Sequence, residues 1–97
     1  MDSELLQLQQ RAYQIATEFA QAQSDYWAIH DPSGRSAQVQ AAARECLKVG
    51  ERYGVALKTL LEHLETLGED RKWKPEINRT QRLMSSLKGE VEFFSIK

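Results

Sequence analysis

The chain has 97 residues, 41% of them hydrophobic and 28% charged, with 13 Lys+Arg against 14 Asp+Glu for a formal net charge of −1. That length gives one domain, and that composition gives a folded chain rather than a disordered one. The near-neutral balance excludes attachment to nucleic acid or membrane by bulk charge alone. A single cysteine, Cys46, excludes an internal disulfide framework and any multi-cysteine metal site within one chain. No apolar run approaches the roughly 18 residues of a membrane span. The start, Met1-Asp2-Ser3-Glu4, lacks the basic and apolar regions of a secretory signal. A cytoplasmic location is therefore expected.

The first predicted helix covers residues 3–29. Leu5, Leu8, Ala12, Ile15, Phe19, Ala22, Tyr26 and Ile29 alternate three and four apart, a heptad pattern that signals an amphipathic, coiled-coil-like helix. A second row, Leu6, Tyr13, Ala20 and Trp27, runs beside it at sevenfold spacing. Together the rows span an arc of roughly 160°, wider than a coiled-coil seam. The opposite side carries Glu4, Gln7, Arg11, Gln14, Glu18, Gln21 and Asp25. Six glutamines lie between Gln7 and Gln23; they solvate the helix or form a docking face that is easy to desolvate. His30-Asp31-Pro32-Ser33-Gly34 then breaks the helix, because proline disfavours helical geometry in the residue before it and glycine frees the turn.

The second predicted helix covers residues 37–67, with Ser36 as N-cap and Gly68 closing the C-terminus. Val39, Cys46, Tyr53, Leu60 and Leu67 recur every seven residues, and Ala42, Val49, Ala56 and His63 complete the heptad. Gly50 and Gly54 form a small-xxx-small pair on this apolar side. Two glycines in mid-helix require a reason, and close approach of a neighbour supplies one. Tyr13, Phe19, Tyr26 and Trp27 are candidates to fill the notch, with a kink or a ligand recess as alternatives. Two helices of this length measure roughly 40 and 46 Å, so the molecule is expected to be an elongated antiparallel hairpin rather than a sphere.

The third predicted helix covers residues 76–88, with Pro75 suited to its first turn. Ile77, Thr80, Met84, Leu87, Val91 and Phe94 keep the spacing, and Gly89 interrupts it. Residues 89–97 also partly alternate, which leaves helix and extended arm both open.

Charge is unevenly placed. Residues 1–70 hold six basic and eleven acidic side chains, a net of −5, while residues 71–97 hold seven basic and three acidic, a net of +4. Such a segment is expected to pack beside the acidic hairpin, in the same chain or in a partner. Alternatively Arg71, Lys72, Lys74, Arg79 and Arg82, with Trp73 among them, bind nucleic acid. His63 and His30 lack ligand spacing, no zinc or di-iron signature occurs, and no Gly-rich phosphate loop is present, so neither metal nor cofactor is expected. His63, on the apolar stripe, is expected to be a satisfied core or interface group, or to meet its own copy across a two-fold. Cys46 lies on the buried stripe as a small hydrophobe, and no nucleophile has a base beside it.

The expectation is an all-α helical bundle: a long antiparallel hairpin plus a shorter C-terminal helix. The apolar arcs are too wide for one hairpin, so a homodimer is expected to complete it. Without a catalytic set, the expected function is a non-enzymatic interaction module with an unidentified protein partner. Its contact residues are Tyr26, Trp27, Trp73, Phe93 and Phe94, aromatics at the ends of segments.

Overall fold

A computed structural model describes residues 3–29, 36–67 and 71–95. Three α-helices follow in order: α1 (Ser3–Ala28), α2 (Ala37–Thr66) and α3 (Lys74–Ser95), with a 3-10 turn at Arg71–Trp73 leading into α3. The described residues contain no strand, and the architecture is an all-helical bundle. The expected break at His30, Asp31, Pro32, Ser33 and Gly34, and the Gly68 cap, lie outside the described residues.

Local chemistry fixes where α2 starts. Ser36 is extended, with φ −65° and ψ 152°, and its hydroxyl accepts a hydrogen bond from the Val39 amide at 3.1 Å. That bond satisfies one of the donors that a helix start leaves unpaired. At the other end the Leu67 amide donates to the carbonyls of Leu64 and Glu65.

The third helix is longer than its sequence predicts. It begins at Lys74 and continues through Gly89 to Ser95, where residues 89–97 were expected to be either helix or arm. Thr80, Leu87 and Phe94 are buried at sevenfold spacing, so the packed face runs unbroken past the glycine. Gly89 is on the exposed side, and a β-carbon built there meets nothing within 4 Å. Its cost is therefore only the propensity term of about 1 kcal/mol, too small to end a helix that keeps burying apolar side chains beyond it. Ile96, at the end of that tail, lies outside the described residues.

Packing places α2 between the other two helices. Glu4 on α1 reaches His63, Glu18 reaches Arg52, and Phe19 reaches Tyr53. Partners on α2 therefore fall in number as α1 rises. On its other flank α2 meets α3, where Gly54 faces Leu87 and Gly50 faces Val91. Covered on two sides, α2 buries Cys46, Leu57 and Leu64 almost completely. Each such leucine contributes about 1.5–3 kcal/mol relative to exposure. The ion pair between Glu18 and Arg52 spans 3.5 Å, but both side chains are half exposed, so it adds little. The radius of gyration is 15.8 Å and the extents are 51 × 21 × 15 Å, an elongated body as the helix lengths require.

The Gly50 notch is filled from both sides. A β-carbon at Gly50 would lie 3.0 Å from Val91 Cγ2 and 3.1 Å from Phe19 Cε1. Of the four aromatics expected there, Phe19 takes the place. Tyr13 and Trp27 are 75% and 65% exposed, and Tyr26 packs instead against Phe94. On the outer side a shallow recess of about 270 Å³ remains beside Gly50 and Gly54, lined also by Met84, Leu87, Lys88 and Val91. Two substitutions separate packing from propensity. Gly89→Ala is expected to raise stability by about 1 kcal/mol, while Gly50→Ala is expected to lower it by about 1 kcal/mol through overpacking. Urea unfolding of the two variants checks this, and equal gains at both sites would show that the helices part freely at Gly50.

Candidate functional site

The five candidate contact aromatics do not form one group. Four converge where α1 and α3 end. Tyr26 meets Trp27 edge-on with ring centroids 4.8 Å apart, Phe94 at 5.2 Å and Phe93 at 6.4 Å. Trp27 stacks on Phe93 at 5.9 Å with an interplanar angle of 28°. Offset and edge-to-face pairs of this kind each add about 0.5–1.5 kcal/mol beyond burial. Nearby, the Gln23 side-chain amide donates to Glu90 at 3.3 Å, also joining α1 to α3.

Availability divides the cluster. Tyr26 and Phe94 are buried and belong to the core. Trp27 and Phe93 remain exposed above them. Trp73 stands apart, about 30 Å away by helix rise along α3. It is half buried, with the Lys72 ammonium 5.0 Å from its ring centroid, a cation–π contact.

A second feature of α1 is its charge. Within this helix only Glu4, Arg11, Glu18 and Asp25 are charged, each seven residues after the last. Two of them reach α2 side chains, Glu4 at His63 and Glu18 at Arg52, so this row flanks α2. The row Leu6, Tyr13, Ala20 and Trp27 lies two residues on, roughly 160° around the helix. All four of these are exposed, Leu6 at 46%. Sequence periodicity reads this row as part of an arc too wide for one neighbour, and within the single chain α2 covers the first row while the second stays exposed. The polar residues beside the exposed row, Ser3, Gln10, Thr17 and Ser24, are uncharged. This side of α1 therefore carries no charged residue of α1 itself, while Glu76 and Arg79 of α3 line the recess beside Tyr13.

The basic segment leads into α3, which packs beside α2. Arg71 opens the 3-10 turn, and Lys72, Lys74, Arg79 and Arg82 are exposed. No ion pair between described residues involves Lys74, Arg79 or Arg82. Arg79 lies near the Tyr53 hydroxyl and opposes the upward push that burial gives that phenol.

Among the described residues no group of three His, Cys, Asp or Glu side chains is placed to hold a metal ion. Thr80 is buried, but its hydroxyl donates to the Glu76 carbonyl at 2.8 Å, and among the described residues no buried side-chain polar atom lacks a partner. His63 faces Glu4 at 3.9 Å. His30 lies outside the described residues. No described helix is long and apolar enough to cross a membrane. Comparison of the chain with family models, with curated proteins and with solved structures finds no significant match.

Cys46 has no exposed surface, and burial first, then the charges of Glu45 and Asp25, push its thiol pKa up. Burial pushes Tyr53 up as well, with Glu90 adding to the push. In both, the folded chain holds the proton more tightly than the unfolded chain does. Their contribution to stability is therefore complete below the unfolded values, about 8.5 for Cys and 10 for Tyr, and is lost as pH rises through them. Urea midpoints are expected to fall from about pH 8.5 upward, and Cys46→Ala is expected to remove the first part of that fall. Native protein is also expected to leave Cys46 unmodified by a thiol reagent until it unfolds. A midpoint that stays flat with pH, or rapid labelling of folded protein, would place the thiol in contact with water.

Proposed function

We propose that the chain is a non-enzymatic interaction module, a small scaffold, adaptor or regulator that acts through protein–protein contacts in the cytoplasm. Its core is an antiparallel, coiled-coil-like hairpin of α1 and α2, with α3 along the other side of α2 and with the assembly completed as a homodimer. The opposite order of contacts along α1 and α2 supports the hairpin. The exposed second row of α1 supports dimerisation.

One observation carries the functional reading: an outward helix face with no charged residue, bearing Leu6, Tyr13 and Trp27 in the open and flanked by Phe93. Interface centres lack charge and favour Trp and Tyr as anchors. An exposed apolar row on a bundle whose core is already filled has no role in folding the single chain. Trp27 and Phe93 are the proposed anchors, resting on Tyr26 and Phe94, with Trp73 as a separate contact point.

The test is affinity capture from native lysate with the wild-type chain and with a Trp27→Ala, Phe93→Ala double variant. A partner retained by the wild type is expected to fall at least about tenfold on the variant, in line with the loss of two anchor residues. Equal retention by both, or no specific protein on either, contradicts the proposal.

The alternative is a nucleic-acid-associated factor, supported by Lys74, Arg79 and Arg82 being exposed and free of ion pairs with the described residues. It requires salt-sensitive binding, with a log–log slope of about −0.9 per phosphate neutralised on duplex DNA, and loss of that binding in Arg79→Glu, Arg82→Glu. Absence of binding to labelled DNA or RNA at low salt removes it.

A further inference from the structure

We propose that the recess between α1 and α3, floored by α2, binds a small aromatic zwitterion, the chemistry of a free aromatic amino acid. The recess follows from how these helices meet. At one end α1 and α3 touch: Tyr26 packs on Phe93 and Phe94, and Gln23 donates to Glu90. Two heptads earlier stand Gln9 and Glu76, and no hydrogen bond joins that pair. Ala12 and Ala16 supply only methyl groups at this level, so the gap stays open. What remains is a recess of about 290 Å³ that reaches down to Leu57 and Leu60, buried residues of α2. That is near the lower bound of ligand pockets, about 300 Å³. It limits the occupant to a ring system with a short polar end.

The polar groups around that floor decide the ligand's charges. Glu76 and Arg79 lie three apart on α3 and both line the recess, yet no ion pair joins them or ties either to another described residue. One carboxylate and one guanidinium are thus left for charge-assisted hydrogen bonds to a ligand. Tyr53, half-buried, lines the same recess near Arg79, and its hydroxyl bonds to no described residue. Thr80 is almost fully buried; its proton goes to the Glu76 carbonyl, and its oxygen keeps a lone pair that can accept. Arg79 and Tyr53 therefore suit a carboxylate, and Glu76 and Thr80 suit an ammonium. A purely anionic ligand would meet the repulsion of Glu76, and a purely cationic one that of Arg79. The apolar floor of Ala12, Ala16, Leu57 and Leu60 takes the ring, with Tyr13 and Tyr53 beside it for aromatic contact.

Size sets the strength. A ligand that fits this volume offers few atoms, so its Kd falls at about 1 mM or somewhat below. Trp27, Phe93 and Trp73 do not line the recess. Ligand binding and the protein contacts proposed above are therefore separable, and the failure of one leaves the other standing.

Amide shifts in proton–nitrogen NMR spectra of the full chain, titrated with L-tryptophan to about 20 mM, test the site. Saturable shifts are expected at Ala12, Ala16, Tyr53 and Thr80. Indole-3-propionate, which lacks the ammonium, and tryptamine, which lacks the carboxylate, are each expected to bind at least about tenfold more weakly. Arg79→Ala is expected to weaken L-tryptophan by a similar factor. Glu76→Gln is expected to weaken L-tryptophan and to strengthen indole-3-propionate, because it removes the carboxylate that repels it. Ala16→Leu fills the floor and is expected to abolish binding, while Lys88→Ala, which lies outside the recess, leaves binding as it was. Arg79 is exposed, so its replacement is expected to leave helicity by circular dichroism unchanged and to read binding alone. No saturable shift with L-tryptophan, or shifts centred on residues away from the recess, overturns the proposal. Equal binding of L-tryptophan and either analogue, or full binding by Arg79→Ala, overturns recognition of a zwitterion.

Discussion

A missing side chain at Gly50 is the constraint on which the bundle depends. The edge of the Phe19 ring, from α1, and a methyl group of Val91, from α3, both come to the space where its β-carbon would stand. Two helices that otherwise touch α2 on separate flanks thereby approach each other at one level. Close by, the aromatic cluster of Tyr26, Trp27, Phe93 and Phe94 and the bond from Gln23 to Glu90 tie α1 to α3 directly. The helix-propensity cost of one glycine, about 1 kcal/mol, is offset by contacts that two packed apolar side chains make on either side of it.

The same arrangement decides what is left over. By taking both flanks of α2, α1 and α3 complete the core without help, and Leu57, Leu64 and Cys46 lose almost all contact with water. Helix α1 then turns its charged row toward α2 and its second apolar row outward. An outward face with no charge is therefore a consequence of which side of α1 the core takes. It is also what singles this surface out, since the outer faces of α2 and α3 carry Glu51, Lys58, Glu62, Arg82 and Lys88 in the open.

Much of the fold is legible in the sequence. The alternation of three and four from Leu5 to Ile29 marks the length of α1. Ser36 marks the start of α2, because a hydroxyl just before an apolar-periodic run has a helix amide to accept from. Gly50 is legible as a packing notch, although which ring fills it is not, since Phe19 and Tyr26 occupy equivalent positions in the pattern. The end of α3 is legible only in part: Val91 and Phe94 keep the spacing of three and four beyond Gly89, but that spacing does not say whether one glycine ends the helix. The second row of α1 is legible as apolar surface beyond what one neighbour covers, but not as to what lies against it. A wide apolar arc reads the same whether the chain covers it or leaves it open, and periodicity carries no information about the number of neighbours. The stacking of Trp27 on Phe93 joins residues distant in sequence and has no local signal at all. Arg79 and Arg82 show the limit of charge counting, since opposite nets in two halves of a chain do not bring particular side chains within reach of one another.

If the Gly50 crossing binds three helices into one body, they must open together. Native-state hydrogen exchange in low urea measures this directly, amide by amide. Buried amides near Phe19, Gly50 and Val91 are expected to share one opening free energy equal to that of global unfolding. Amides of α3 that exchange well before those of α1 and α2 would show a third helix merely resting on a hairpin, and would contradict the account.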